Sequence, residues 1–214
     1  MTRGVFYRFC VAFILFAVPA GQLFADDIVG HLTKVQGHVV LSKTGRDHVR
    51  TAKPGDHVEV GEFFQTGKNA RAQLVLTDNS IISIYPETSL AVLQYVNDPA
   101  VNRRSVIIKV RDGGARFMVT RPQPRVESRF TVLTDHASVS VWRADFFVST
   151  SPAETEIVNI GTSFTVAHIS KLIVQKVRLD ANQRTIVTDK MPPSQPTTLT
   201  PTQRKKYIKY ATGY

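Results

Sequence analysis

The sequence predicts an all-β fold, an antiparallel sandwich or barrel-like domain, and three observations carry that expectation. Apolar residues alternate with a period of two from Ile28 to about Thr188. Turn-forming clusters interrupt the alternation about every ten residues. No stripe of helical period reaches a convincing length before the C-terminus.

The elements follow in order. Residues 1–25 read as an export signal: Arg3 and Arg8 precede a run of twelve apolar residues, Phe9 to Ala20, which Pro19 and Gly21 break. Cleavage after Ala25 would start the mature chain at Asp26 and remove Cys10, the one cysteine, as suits an oxidising compartment. The run is short of the ~20 residues a helical span needs, so no transmembrane span is expected. Val35, Gly37, Val39 and Leu41 fall on one face, and Ala70, Ala72, Leu74 and Leu76 repeat the alternation. Thr77-Asp78-Asn79-Ser80 reads as a tight turn, beyond which Ile82 and Ile84 continue inward. Further strands are expected around Leu90 to Tyr95, Ser105 to Val110, Val139 to Ser149, Glu156 to Ile160, Phe164 to Ile169 and Ile173 to Leu179. At the end, Thr200 can cap a helix that starts with Pro201 and stops at Gly213, or Leu199 to Gln203 can form a closing turn. The domain is expected over residues 28–196, extending to 203 on the turn reading, with a Tyr/Lys-rich basic tail at 197–214.

The order Val35-x-Gly37-x-Val39, Pro54-Gly55-Asp56, Gln65-Thr66-Gly67, Ala70-Arg71-Ala72-Gln73-Leu74 and Leu76-Thr77-Asp78-Asn79-Ser80 resembles the periplasmic FecR family domain. Gln94-Tyr95, Asn97-Asp98-Pro99, Gly114-Ala115-Arg116-Phe117, Ala137-Ser138-Val139, Asp145-Phe146 and Ile160-Gly161 extend the resemblance over roughly residues 28 to 203. Asn79 stands where the family's turn has glycine, and Asn is the best substitute at a positive φ. The family's Arg-Gly-Thr-Asp-Phe segment aligns with Trp142 to Phe146, so Arg143 and Ala144 replace its Gly and Thr. The resemblance implies a periplasmic domain that senses a loaded outer-membrane receptor and controls an extracytoplasmic sigma factor.

The chain carries 27 Lys and Arg against 17 Asp and Glu, a formal net charge of +10, and the excess is uneven. Residues 101–130 hold eight basic side chains against two acidic ones. Arg103, Arg104, Arg111, Arg116, Arg121 and Arg125 are therefore candidates for a basic stripe that binds an anionic partner. Trp142, Arg143, Tyr207 and Tyr210 are candidate contact residues. If Val139 to Ser149 is one strand, Trp142 shares a face with Ala144 and Phe146, and the cost of burying Arg143 puts that face in the core.

The sequence has no Gly-x-Ser-x-Gly elbow, no His-Glu-x-x-His and no phosphate-binding glycine loop. Its six histidines have no ligand spacing that predicts a metal site, and no cofactor is expected. These features point to an exported, non-enzymatic binding or scaffolding module that contacts an envelope protein or anionic envelope polymer, rather than nucleic acid. The alternative is a periplasmic component of a signal relay controlling an extracytoplasmic sigma factor. Only eight residues precede the apolar run, which disfavours direct sigma-factor control by this chain alone.

Overall fold

Arg103–Val119 is a single strand of 17 residues, and it passes through both halves of the fold. The computed structural model describes residues 28–43, 46–98, 100–101, 103–120 and 127–212; the expected export signal at 1–25 lies outside them. Eight strands come first: β1 (Ile28–Gln36), β2 (Val39–Lys43), β3 (Arg46–Thr51), β4 (His57–Glu59), β5 (Glu62–Thr66), β6 (Arg71–Leu76), β7 (Ile81–Ile84) and β8 (Ser89–Asp98). The long strand is β9. It is followed by β10 (Glu127–Leu133), β11 (Ala137–Val141), β12 (Ala144–Thr150), β13 (Glu154–Asn159), β14 (Phe164–His168), β15 (Lys176–Leu179), β16 (Gln183–Thr188) and β17 (Thr197–Thr198). One helix, α1 (Pro201–Thr212), ends the described chain.

The first half of β9 bonds to β8 and, in parallel, to β10; the second half bonds to β7 and β12. One continuous, mixed and mostly antiparallel sheet is thereby folded into two facing layers. The first layer runs β4, β1, β6, β7, β9, β12, β13, β16, β17. The second runs β3, β2, β5, β8, β9, β10, β11, β14, β15. The fold at β9 needs Gly113, which sits at φ +78°, where a Cβ would come 2.4 Å from the Thr88 hydroxyl oxygen.

The alternating side chains meet between the layers. Phe117 and Phe146 of the first layer stack at 5.2 Å; Phe117 meets Phe130 of the second at 6.3 Å, and Phe146 meets Phe164 at 5.1 Å. Each such side chain, fully buried, contributes about 1.5–3 kcal/mol. A smaller cluster lies on the outer face of the first layer, where Tyr207 of α1 covers Phe147 and Val158 beside Leu199. The helix starts as the Thr200-Pro201 pattern predicts. The Thr200 amide donates to Gln203 Oε1 at 2.9 Å and the Gln203 amide to Thr200 Oγ1 at 3.3 Å, a reciprocal cap.

Three expectations need correction. Val139 to Ser149 is not one strand, because the chain crosses from the second layer to the first at Trp142 and Arg143. The crossing resets the alternation, so Val139, Val141, Ala144 and Phe146 all point inward while Trp142 is 74% exposed, not in the core. Gly37 belongs to no strand face; it takes φ +71° in the turn between β1 and β2, which lie in different layers. Residues 173–175 are a loop, and the strand expected from Ile173 begins at Lys176.

Candidate functional site

In the C-terminal half, the connections at 142–143, 160–163 and 180–182 all cross between layers at one end of the sandwich, and the hairpins all turn at the other. The β6–β7 turn reaches the crossing end from the N-terminal half. Asn79 takes φ 62° there, as the glycine-like position predicts. Asp78 beside it accepts hydrogen bonds from the Ser80 amide and hydroxyl at 2.9 and 3.0 Å.

Arg104 lies between the layers at this end. Its alternation partners Val106, Ile108 and Val110 face the core, and Arg104 follows them inward to 1% exposure. A buried guanidinium is tolerated only when paired and fully hydrogen-bonded. Here Nη1 bonds Asp78 at 2.6 Å and the Thr120 carbonyl at 3.0 Å, Nη2 bonds the Trp142 carbonyl at 2.8 Å, and Nε bonds the Ser128 hydroxyl at 2.8 Å. One side chain thus ties the β6–β7 turn, the end of β9, β10 and the β11–β12 crossing together.

The crossing itself is fixed in backbone and free in side chain. The Trp142 carbonyl is held by Arg104, and the Arg143 carbonyl accepts the Thr162 hydroxyl at 2.8 Å. Both side chains are exposed. Two shallow clefts flank Arg143: one of about 570 Å³ is lined by Trp142, Ser140, Thr162 and Thr165, the other of about 530 Å³ by Met118, Thr120, Asp145 and Gly161. Arg143 is not among the residues with positive φ, so no left-handed backbone demands the family's glycine here. Nearby, the Ser163 hydroxyl and Arg178 hold the exposed Asp180 carboxyl below its ordinary range.

The expected basic stripe is not one surface. Arg103 and Arg111 are exposed on the outer face of the second layer, where Arg103 is in register with Asp98 and Arg111 lies over the Phe63 ring at 5.3 Å. Arg104 is buried. Arg116 lies past the fold in β9, on the opposite outer face, and makes a two-pronged ion pair with Asp145 at 2.7 and 2.6 Å. The hydrogen bond to Asp145 raises the Arg116 pKa, so its charge is engaged within the fold. Arg121 and Arg125 lie outside the described residues, as does the side chain of Tyr210. Tyr207 donates to Glu156 at 3.0 Å, and burial together with that carboxylate pushes its pKa up to about 12. The Arg104–Asp78 pair is what the reading by composition missed, and the inward phase of Val106, Ile108 and Val110 was the signal for it.

Residues 62–161 match the family model described as FecR protein, and that stretch holds Asp78, Arg104, Trp142, Arg143 and Gly161. Two crystal structures of a putative anti-sigma factor from Parabacteroides distasonis ATCC 8503, at 1.65 and 2.50 Å resolution, share the fold with a TM-score of 0.53 at 17% identity. The likeness covers 69% of this chain and 64% of that one, less than two thirds of that protein's length. No curated protein matches the sequence. The span of residues 62–161, from β5 to the glycine that follows β13, is a FecR family domain.

Proposed function

We propose that this protein is a non-catalytic recognition module of a FecR-type signal relay, exported to the periplasm, which contacts an envelope protein through Trp142 and Arg143. The observation that carries the reading is the contrast at the crossing: both carbonyls are bonded into the fold while an indole and a guanidinium stand in solvent. Tryptophan and arginine dominate the energetics of protein interfaces, and a fixed backbone lowers the ordering cost of binding. The likeness in fold to the Parabacteroides structures favours a relay toward an extracytoplasmic sigma factor. Capture of an anionic envelope polymer by a basic stripe draws less support, since β9 sends its arginines to two opposite faces and one interior.

The test is genetic and chemical together. Deleting the gene should change transcription of one sigma-dependent gene set, and Trp142→Ala with Arg143→Ala should reproduce that change with the protein still folded. A photo-crosslinking residue at position 142 should capture an envelope protein that one at Val49, exposed on β3 at the sandwich edge, does not. Unchanged transcription in the deletion strain would remove the relay; equal capture at both positions would remove the corner.

A further inference from the structure

The hairpin end carries an apolar feature that the crossing end does not. The loop between β14 and β15 presents Leu172 at 92% exposure and Val174 at 78%, with Ile169 also exposed at its base. This loop is built rather than slack. The Ile169 amide bonds the His136 carbonyl at 2.8 Å, the Ser170 amide bonds His168 Nδ1 at 2.9 Å, and the Ile173 amide closes a turn on the Ser170 carbonyl at 3.2 Å. His168 in turn bonds the Thr188 carbonyl at 2.9 Å, which brings the next hairpin, with exposed Met191, to the same end.

Charge decides what such a tip meets. From Ile169 to Val177 there are two cations, Lys171 and Lys176, and no acid. Both are exposed, and Lys190 adds another beside Met191. The carboxylates at this end, Glu87, Asp112, Asp135, Glu154 and Asp189, belong to neighbouring turns and strands; Asp135 bonds Lys109 at 2.7 Å and Asp189 reaches His136 at 3.2 Å.

We infer that the 169–175 loop docks this end of the protein on an anionic lipid surface, with Leu172 and Val174 entering the head-group boundary and Lys171, Lys176 and Lys190 pairing with lipid phosphates. Composition separates this from a protein contact. Interfaces between proteins are enriched in aromatic residues and arginine and depleted in lysine. The tip is aliphatic and its collar is mainly lysine, the pattern in which apolar side chains sink into the interface and cations gain from surface charge. A lipid-bound hairpin end leaves the Trp142 corner, at the far end of the same strands, turned away from that membrane.

Vesicle co-sedimentation tests this with the purified protein and two compositions, phosphatidylcholine alone and phosphatidylcholine with phosphatidylglycerol. Binding is expected to the anionic vesicles only, and to fall more than tenfold in the Leu172→Asp/Val174→Asp variant. Lys171→Gln and Lys176→Gln should each lower it roughly fivefold at low salt. Circular dichroism and sedimentation velocity on each variant establish that the fold persists, and all four substituted positions are solvent-exposed in the parent. Absence of binding to anionic vesicles overturns the inference, as does undiminished binding by the double aspartate variant. A parent that self-associates and is made monomeric by the aspartates, with no vesicle bound, would assign the loop to a second copy of the chain instead.

Discussion

The two ends of the sandwich solve one problem with different chemistry. Wherever the chain turns back or crosses between layers, polar groups fall near the core and need partners. At the hairpin end the solution is a chain of buried hydroxyls: Thr155 bonds Thr150 at 2.8 Å, Thr134 at 2.9 Å and His136 Nδ1 at 3.1 Å, and Thr134 also accepts the Ala137 amide at 2.8 Å. These are short contacts among three hydroxyls and an imidazole, spread over four residues. At the crossing end the carbonyls of Thr120 and Trp142 converge on one guanidinium, with Asp78 as its counter-charge. Concentrating the task in Arg104 makes the crossing end stiff and dependent on a single residue. The hairpin end spreads its risk.

Removing the hub should therefore hurt most. Arg104→Ala leaves the Asp78 carboxylate buried without its cation and two carbonyls without a donor, and should cost roughly 3–5 kcal/mol in urea melts. Arg104→Met with Asp78→Leu should cost less than the sum of the two single changes, because the double variant leaves no orphaned charge. Additive losses would break the picture of one coupled pair. At the other end, Thr155→Val removes one member of the hydroxyl chain, and the loss should be about 1–3 kcal/mol, the penalty for partly unsatisfied buried groups. A Thr155 change as damaging as Arg104→Ala would erase the contrast.

Much of this is legible in the sequence, and the misses have a physical pattern. Period two revealed the strands, Thr77-Asp78-Asn79-Ser80 revealed the turn with its positive φ at Asn79, and Thr200-Pro201-x-Gln203 revealed the helix cap. Layer crossings were illegible when no glycine or proline marked them. At Val141-Trp142-Arg143-Ala144 the alternation looks continuous across a change of layer, and no glycine stands there to flag it. Counting charge in a sequence window likewise joined arginines that β9 separates, because a window has no knowledge of a strand folded at Gly113. The partner of Arg104 could not be inferred, since Asp78 lies 26 residues away in another layer.

A smaller effect sits on α1, whose contact with the first layer runs through Tyr207. Burial and Glu156 raise that phenol from 10.0 to about 12. A raised folded value means the contact is whole below pH ~10, the unfolded value, and is lost as pH climbs toward 12. Tyr207→Phe should lower stability at neutral pH by about 1 kcal/mol, one hydrogen bond to a charged acceptor in a half-exposed site. It should also abolish the alkaline loss of stability that the parent shows from pH 10 to 12. A parent and variant that lose stability in parallel over that range would detach Tyr207 from the helix contact.

The smallest expected effect is at the residue that looks most prominent. Trp142 is the one tryptophan, and its ring is three-quarters exposed while its carbonyl does the structural work. Trp142→Ala keeps that carbonyl, so the hydrogen bond from Arg104 survives and the melt should move by no more than about 0.5 kcal/mol. Arg143→Ala should behave alike, since Thr162 also bonds its backbone. Indole fluorescence should be red-shifted and readily quenched by iodide in the folded protein, and should change little on unfolding. A blue-shifted emission that moves on denaturation would mean the ring is covered, by a second copy or a bound partner, and the crossing end would then be an occupied interface rather than an open one.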